Sequence, residues 1–376
     1  MPIVTILALT TASFVSIKGY RVLATLFAVS LGAGPLETGV LFAVWGLIPF
    51  LLSVHAGRLA DRFDNRLLMY CGLSGFAVSL ALPYVVPNMA ALYLSAALGG
   101  LTSMVFVVAS QNLVGVLSSP ERRTRDFSYY SLGESAASVG GPVLVGIYID
   151  AFRHPATFLL LSLIIASCVV LLFARRRIIP NTVVQGQRKV TRNAKDLLAL
   201  PALRNALIAN GVVMAGLDLF SLYMPIYTHE LGFSATTIGM IIGAFGAAAF
   251  ITRLAIPPFT ARWGEHTMIA GALALSAIVF VALPFTTQPL LLGLASFLLG
   301  LGLGCGQPLT MILSFNAAPP SRAAEAIAMR LAVSYGAHVV IPPVFGAIGA
   351  ALGIAPIFWT CAILLGGGSV LMRRRS

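Results

Sequence analysis

Twelve stretches of predominantly apolar residues dominate the sequence, and each is close to the roughly 20 residues that a helix needs to cross a bilayer core. Hydrophobic residues make up 58% of the 376 residues and charged residues only 10%. A soluble domain averages about 45–50% apolar and about 25% charged residues, so the composition excludes a water-soluble enzyme, a disordered protein and a nucleic-acid binder. The predicted spans cover about residues 3–31, 36–57, 67–86, 89–117, 126–149, 155–174, 204–230, 235–260, 267–285, 289–316, 324–350 and 354–372.

We number these stretches spans 1 to 12 and expect each of them to be an α-helix. A helix satisfies its backbone N–H and C=O groups within its own segment, which matters in a bilayer core because no water is present there to bind them. The expected fold class is therefore an all-α membrane protein with 12 transmembrane helices.

The distribution of basic residues predicts how the spans are oriented. Because the number of spans is even, both termini are expected on one side, and the connections on that side carry 19 of the 24 Lys and Arg residues. The connections on the opposite side carry Arg153 alone. Lys and Arg accumulate in cytoplasmic loops, so we expect a multi-pass protein of the bacterial inner membrane with both termini cytoplasmic. The net charge of +12 is then a topology signal.

The two halves of the sequence resemble each other at a constant offset of 200 residues. The recurring residues are mostly Gly and Pro, which set close approach and bending of helices. The pairs are Gly32 with Gly232, Gly39 with Gly239, Gly46 with Gly246, Phe50 with Phe250, Arg62 with Arg262, Gly100 with Gly300, Pro120 with Pro320, Arg122 with Arg322, Pro142 with Pro342 and Gly146 with Gly346. The repeat predicts two pseudo-symmetric six-helix bundles, 1–176 and 204–376, with a cytoplasmic linker at 177–203. Parallel repeats of this kind bind substrate near the membrane midplane, in the groove between them.

The loop after span 2 carries the most specific motif. It reads GRLADRFDNR from Gly57 to Arg66. This pattern resembles the signature between helices 2 and 3 of the major facilitator superfamily, with Asp64 in place of the second Gly and Asn65 in place of a basic residue. Together with the spans and the repeat, the resemblance covers essentially the whole chain, and it implies the fold of that superfamily and a function in secondary transport.

The resemblance also implies a role for this loop. In the superfamily, the acidic residue of the signature holds the cytoplasmic ends of the two bundles together in the outward-open state, and Asp61 is its match here. We expect Asp61 to bind the positive N-terminal end of span 11, near residues 321–324. A local ion pair with Arg62 or Arg66 is the alternative. Gly57, Asp61, Arg62 and Arg66 are therefore the candidate latch residues.

Span 5 carries a second motif. Gly141, Pro142 and Gly146 resemble the glycine–proline signature of the superfamily's antiporters, with Ala137 where a Gly is usual. This resemblance implies export in exchange for another solute. Small residues at this spacing also let helices pack closely, and a proline bends its helix, so packing alone is the alternative interpretation.

Charged residues at bilayer depth are functional candidates, because burying them there without a partner is costly. Span 1 carries Lys18 and Arg21 about halfway along its length. With Thr11, Phe14 and Thr25 they recur in steps of three and four and share one helical face. We expect this face to line the central cavity and bind substrate. The alternative is that Lys18 and Arg21 anchor the span by extending toward the membrane surface.

Span 7 carries Asp218, the counterpart of Lys18 in the repeat. We expect these two charges to approach each other between the halves, either as a static ion pair or as a switch that substrate or a proton opens. Asn210, Met214 and Ser221 share roughly the same face of span 7 and complete its candidate substrate contacts.

Three further polar residues of the spans are candidates. Glu134, about two turns into span 5, is a second candidate proton carrier beside Asp218, unless it only neutralises Arg21 or arginines of the preceding loop. Gln307 in span 10 and His338 in span 11 are candidate substrate contacts. Histidine changes charge in the physiological pH range, but either residue can also serve as a hydrogen-bonded structural group.

The charges within the spans sum to a positive excess. Four basic residues and two acidic residues contribute: Lys18, Arg21, Arg253 and Arg330 against Glu134 and Asp218. Glu325, one turn before Arg330, is a candidate partner for it. A low-dielectric cavity with excess positive charge favours an anionic or acceptor-rich substrate.

Several functions are excluded. The sequence holds no P-loop, no His/Cys cluster with metal-ligand spacing and no nucleophile elbow, so we expect neither an enzyme nor ATP-driven transport, and no cofactor or metal. We predict a secondary active transporter that exports a small organic compound, anionic or polar, in exchange for protons by alternating access. The alternatives are uptake or uniport of an organic anion and, in another class, a non-transporting membrane sensor. The expected partners are the substrate, the proton and the lipid bilayer, with no nucleic acid and with the chain as a monomer.

Overall fold

The computed structural model describes residues 2–62, 64–118, 122–175, 195–319 and 322–373, and within these ranges the regular structure is helical. A single turn of 3₁₀-helix, Leu283–Phe285, interrupts the α-helices. The α-helices are α1 (Pro2–Ser30), α2 (Pro35–Arg62), α3 (Asn65–Val85), α4 (Met89–Leu117), α5 (Arg123–Ala174), α6 (Lys195–Leu198), α7 (Pro201–Glu230), α8 (Ala235–Ala282), α9 (Pro289–Leu303), α10 (Gly306–Ala317), α11 (Ala323–Leu352) and α12 (Ile354–Arg373).

The predicted number of crossings is confirmed. Eleven helical segments of the described chain are long and apolar enough to cross a membrane. One of them, Tyr129–Ala174, has 46 residues, which is about 69 Å of helix, or twice a bilayer core of roughly 30 Å. It bends at Arg153, which has φ 67° and ψ 170°. Its two arms are spans 5 and 6, and the protein is an all-α membrane protein with 12 transmembrane helices.

The connection between spans 8 and 9 and the middle of span 10 differ from what the sequence predicts. Spans 8 and 9 form one element, α8, which turns at Gly264 with φ 73° and ψ 159°. Glycine adopts this left-handed conformation without steric cost, so the chain reverses without a separate loop. Span 10 is broken instead, into α9 and α10, at Gly304 and Cys305.

The 200-residue repeat is present in the aromatic packing. Tyr20 stacks on Trp45 with ring centroids 4.7 Å apart. Their counterparts, Phe220 and Phe245, stack at 4.5 Å. The edge-to-face contact of Phe27 with Phe158 at 5.5 Å likewise returns between Tyr227 and Phe358 at 5.5 Å. Equivalent rings therefore fill equivalent places, as a duplicated six-helix bundle requires.

The repeat is also present in close contacts between helices. A Cβ on Gly39 would overlap the carbonyl oxygen of Pro342, and a Cβ on Gly239 would overlap that of Pro142. Gly39 and Gly239 are one pair of the repeat, and Pro342 and Pro142 are another, so the same contact occurs twice. Glycine is required at both places because the backbones touch.

By compactness the chain divides into two units. Unit 1 comprises Met1–Ala33, Val44–Gln187 and Thr228–Gly243, and unit 2 comprises Gly34–Ala43, Arg188–Tyr227 and Ala244–Ser376. Helices α2, α7 and α8 therefore contribute residues to both units. The boundaries expected from the sequence, 1–176 and 204–376, stay a prediction, and most of the linker at 177–203 lies outside the described residues.

Candidate functional site

In unit 1, α1 and α5 approach each other closely through glycines. A Cβ on Gly141 would lie 2.7 Å from the carbonyl oxygen of Val15 and 2.8 Å from the amide nitrogen of Gly19. A Cβ on Gly19 would lie 2.8 Å from a methyl group of Val145. The glycine of the span 5 motif thus brings the backbone of α5 against α1, and polar side chains near this contact are held within reach of one another.

Lys18 and Glu134 form an ion pair at this contact. The Nζ of Lys18 lies 3.1 Å from Oε1 of Glu134, and the two side chains are 34% and 30% exposed. A charge-assisted hydrogen bond of this length is stronger than a neutral one. Glu134 therefore neutralises Lys18, in a pair that is about one-third exposed.

The other candidate residues of α1 differ in how deeply they are buried. Phe14 is buried and meets the ring of Tyr130 edge-to-face at 5.4 Å. Thr25 is also buried, and its hydroxyl donates to the carbonyl of Arg21. Thr11 donates to the carbonyl of Leu7. Thr11 and Arg21 are half-buried, so Phe14 and Thr25 support the helix contact while Thr11, Lys18 and Arg21 keep accessible surface.

In unit 2, α7 and α11 carry a second pair. The Nδ1 of His338 lies 2.6 Å from Oδ2 of Asp218, and the side chains are 22% and 5% exposed. Each charge thus has a partner within its own unit, because α1 lies against α5 and α7 lies against α11 at these side chains. The expected approach of Lys18 to Asp218 between the halves stays a prediction.

A polar cluster lies two turns before this pair, and the sequence analysis identified only one of its members as a candidate. Asn210 of α7 is buried, and its amide nitrogen donates to the carbonyl of Arg330 at 3.2 Å and to the hydroxyl of Ser334 at 2.9 Å. Its amide oxygen accepts from Nη1 of Arg330 at 3.2 Å and from Thr310 at 3.1 Å. The signal in the sequence is spacing: Arg330, Ser334 and His338 recur every four residues.

The remaining candidates of unit 2 lie beside these groups. Met214 is buried between Asn210 and Asp218 along α7, and its sulfur accepts from Nε2 of Gln307 at 3.8 Å. Gln307 itself is exposed. The hydroxyl of Ser221 donates to the carbonyl of Asp218. Asn210, Met214, Asp218, Gln307 and His338 are thus brought into one neighbourhood within unit 2.

The candidate latch is only partly visible. The side chains of Gly57, Asp61 and Arg62 lie outside the described part of the structure. Arg66 is described, and its Nε lies 4.0 Å from Oδ2 of Asp64, whose Oδ1 accepts from the Arg66 amide and caps α3. The latch role of Asp61 therefore stays a prediction.

The glycine–proline motif of α5 makes a second contact within unit 1, with the start of α8. Gly146 packs against the carbonyl of Ala235, where a Cβ would overlap it. One turn further along α5, Asp150 accepts from the amides of Ala235 at 3.0 Å and Thr236 at 2.8 Å. These amides are unsatisfied donors of a helix N-terminus, which attracts a carboxylate. The sequence analysis missed Asp150 because it lies between spans.

The described residues contain no group of three His, Cys, Asp or Glu side chains that could hold a metal ion.

A known protein family matches nearly the whole chain. The sequence profile of the Major Facilitator Superfamily matches residues 6–227 and again residues 206–376. The chain is 27% identical over 281 residues to the tetracycline resistance protein, class C, of Escherichia coli, covering 69% of this chain and 67% of that protein. It is 25% identical to the multidrug resistance protein MdtG of Dickeya zeae, covering 74% and 69%, and 25% identical to the quinolone resistance protein NorA of Staphylococcus aureus, covering 74% and 72%.

Solved structures share the fold at lower identity. A mutant of the nucleoside transporter NupG superposes with a TM-score of 0.82 at 15% identity, covering 99% of this chain and 98% of that one. A mutant of the peptide transporter POT superposes with a TM-score of 0.81 at 16% identity, covering 98% and 93%.

Proposed function

Because the chain belongs to the Major Facilitator Superfamily, we propose that it is a secondary active transporter that exports a small anionic or polar organic compound in exchange for protons by alternating access. One observation carries the proposal: Asp218 and His338 form a titratable pair, 2.6 Å apart, on two apolar helices. Ionisable residues within membrane spans are rare because burying them is costly, and they mark substrate or proton pathways. Export is supported by relatives whose names describe resistance to tetracycline, quinolones and several drugs.

Asp218 is the proton carrier in this proposal. Proton and substrate compete for its carboxylate, and this competition couples their movements. The carboxylate binds either a proton, shared with His338, or a hydrogen-bond donor of the substrate. Proton and substrate donor exclude each other because both occupy the same carboxylate, and protonation removes the charge that attracts the donor. A proton that enters down its gradient therefore displaces the substrate, which is the exchange that an exporter needs.

Acceptor groups of the substrate are recognised by basic and amide side chains. We assign this role to Lys18 and Arg21 in unit 1, with Thr11, and to Gln307 in unit 2. Their donors suit carboxylate, phenolate or carbonyl oxygens. Asn210 is buried with both amide donors used within unit 2, so it supports the site without contacting substrate. Phe14, Thr25, Met214 and Ser221 support these groups through packing and hydrogen bonds.

A second function is favoured by the Lys18–Glu134 pair. When an organic anion binds Lys18 in place of Glu134, the Glu134 carboxylate loses its cation. A carboxylate without a neighbouring cation binds a proton more readily. Anion and proton would then move together, as in proton-coupled uptake. Glu134 is the proton carrier in this alternative, and the direction of proton movement separates it from export.

The proposed orientation has both termini in the cytoplasm of a bacterium, with the chain in the inner membrane. It is supported by the 19 of 24 basic residues in the connections on one side. A green fluorescent protein fused after Ser376 is expected to fluoresce, because it folds in the cytoplasm; a dark fusion of normal abundance would reverse the assignment.

Proton movement in reconstituted vesicles tests the function. Purified protein is placed in liposomes that hold a trapped pH dye, with equal pH on both sides, and tetracycline is added outside. Exchange predicts that tetracycline entry drives protons out and the lumen becomes alkaline relative to protein-free liposomes. Acidification would indicate co-transport instead, and a response equal to that of protein-free liposomes would contradict both.

A further inference from the structure

Among the described residues, the side chain of Arg330 is a buried cation without a negative partner. Glu325, the partner expected from the sequence, has its side chain outside them. The residue is 9% exposed, its Nη1 donates to Asn210, and its Nε has no hydrogen-bond partner. None of the ion pairs in the described part of the chain involves it. A guanidinium stays charged at any physiological pH, and a buried charge that is not compensated destabilises the fold around it.

Asn210 orients Arg330 but does not neutralise it. An amide offers two donors and two acceptor sites, and all four are used, by Arg330 twice, Ser334 and Thr310. The amide is neutral, so the cluster keeps a full positive charge. It holds the guanidinium in one orientation, with Nε unused.

The other repeat shows that packing does not require this charge. The counterparts of Arg330 and Thr310 are Tyr130 and Ser110. Their hydroxyl groups lie 3.0 Å apart and satisfy each other directly. A neutral hydrogen bond therefore fills the equivalent place in unit 1, and the charge of Arg330 serves a purpose beyond holding α10 and α11 together.

Exposed polar atoms border the cluster. Gln307 lies one turn before Thr310 on α10, is exposed, and contacts Met214, which is one turn beyond Asn210 on α7. His338, two turns beyond Arg330 on α11, is 22% exposed. A solute that reaches Gln307 and His338 is therefore within about two helical turns of the guanidinium, or roughly 12 Å along the axis.

We propose that Arg330 is the anion-recognition residue of unit 2: when α10 moves and uncovers it, its guanidinium binds a carboxylate of the substrate. The proposal rests on the proposed transport function and narrows the substrate to compounds with a carboxylate or a similar planar anion. A guanidinium matches such a group with two parallel hydrogen bonds, which a lysine does not provide. The bound anion supplies the charge that the cluster lacks.

Thermal unfolding of the purified full chain with matched small solutes tests this proposal. The probes are sodium benzoate, benzyl alcohol as its neutral analogue, and sodium chloride at equal concentration. We expect benzoate to raise the apparent unfolding temperature of the wild type by about 2–5 °C beyond chloride, and benzyl alcohol to give no such rise. Equal shifts with benzoate and chloride would overturn the proposal, because the site would then hold an inorganic counter-ion.

Three variants test whether the benzoate shift depends on Arg330. Arg330→Gln should lose the benzoate shift, and Arg330→Tyr, which copies the neutral pair of the other repeat, should fold and lose it as well. Arg204→Gln removes an exposed arginine of unit 2 and should keep it. A full benzoate shift in Arg330→Tyr would overturn the proposal while leaving proton exchange intact, since recognition would then lie with Lys18 and Arg21. A failed proton-exchange measurement with a normal benzoate response would instead reject the transport function alone.

Discussion

Lys18 and Asp218 occupy equivalent positions of the repeat, 200 residues apart, and carry opposite charges. Each has a side-chain partner on the neighbouring helix: Glu134 on α5 for Lys18, and His338 on α11 for Asp218. In these two pairs the acidic residue lies on α5 in one repeat and on α7 in the other. In the proposed function, the first pair supplies a cation for an anionic group of the substrate, and the second supplies a carboxylate for a proton or a donor.

The first prediction concerns the Lys18–Glu134 pair. We expect a double-mutant cycle with Lys18→Met and Glu134→Gln to give a coupling energy of about 1 kcal/mol, because the pair is one-third exposed and partly screened. Apparent unfolding temperatures of the four proteins measure it. The reversed pair, Lys18→Glu with Glu134→Lys, should recover most of the stability that either single reversal loses. Additive losses would mean that the two charges do not interact.

The second prediction concerns the glycine contacts of the repeat. Gly239→Ala should lower stability by about 1–3 kcal/mol, since a Cβ there meets the backbone of Pro142. Gly39→Ala should cost a similar amount at Pro342. Gly271 is the matched control: it lies within α8 with no neighbouring atom within 4 Å, so Gly271→Ala should be neutral or stabilising. Equal effects at Gly239 and Gly271 would argue against close packing.

The third prediction concerns backbone strain at the bend of α5. Arg153 has φ 67°, and its counterpart Gly353 has φ 85°. A non-glycine residue is strained there by about 1–2 kcal/mol. Because relief of this strain exceeds the entropy cost of introducing a glycine, Arg153→Gly should raise the unfolding temperature slightly. Gly353→Ala should lower it. Both are read by thermal unfolding, and a loss of stability in Arg153→Gly would contradict the assignment of strain.

The fourth prediction concerns the carboxylate that caps α8. Asp150→Ala removes the acceptor of the Ala235 and Thr236 amides and should weaken the first turn of α8 by about 1 kcal/mol. Hydrogen exchange in a peptide that covers 234–238 should become roughly fivefold faster. Asp196→Asn changes an exposed acid elsewhere and should leave that peptide unchanged. Unchanged exchange in Asp150→Ala would show that the cap is not formed.

The sequence predicted the spans, the repeat and the fold, because apolar length and recurring glycines are local signals. It did not predict the partner of Lys18 within unit 1. The pair of Lys18 with Glu134 depends on how α1 is rotated against α5 at the contact of Gly19 with Gly141, and no local pattern in the sequence reports that contact. Arg330 was counted as a charge but its cluster with Asn210 was missed, because these residues are 120 positions apart.

Proton movement in the Asp218→Asn variant tests the central claim most directly. Tetracycline is added outside liposomes that contain the wild type, Asp218→Asn or the control Asp196→Asn, and the pH of the lumen is recorded. The account predicts alkalinisation with the wild type and the control, and none above protein-free liposomes with Asp218→Asn. Alkalinisation of wild-type size in Asp218→Asn would show that Asp218 carries no proton and would contradict the account.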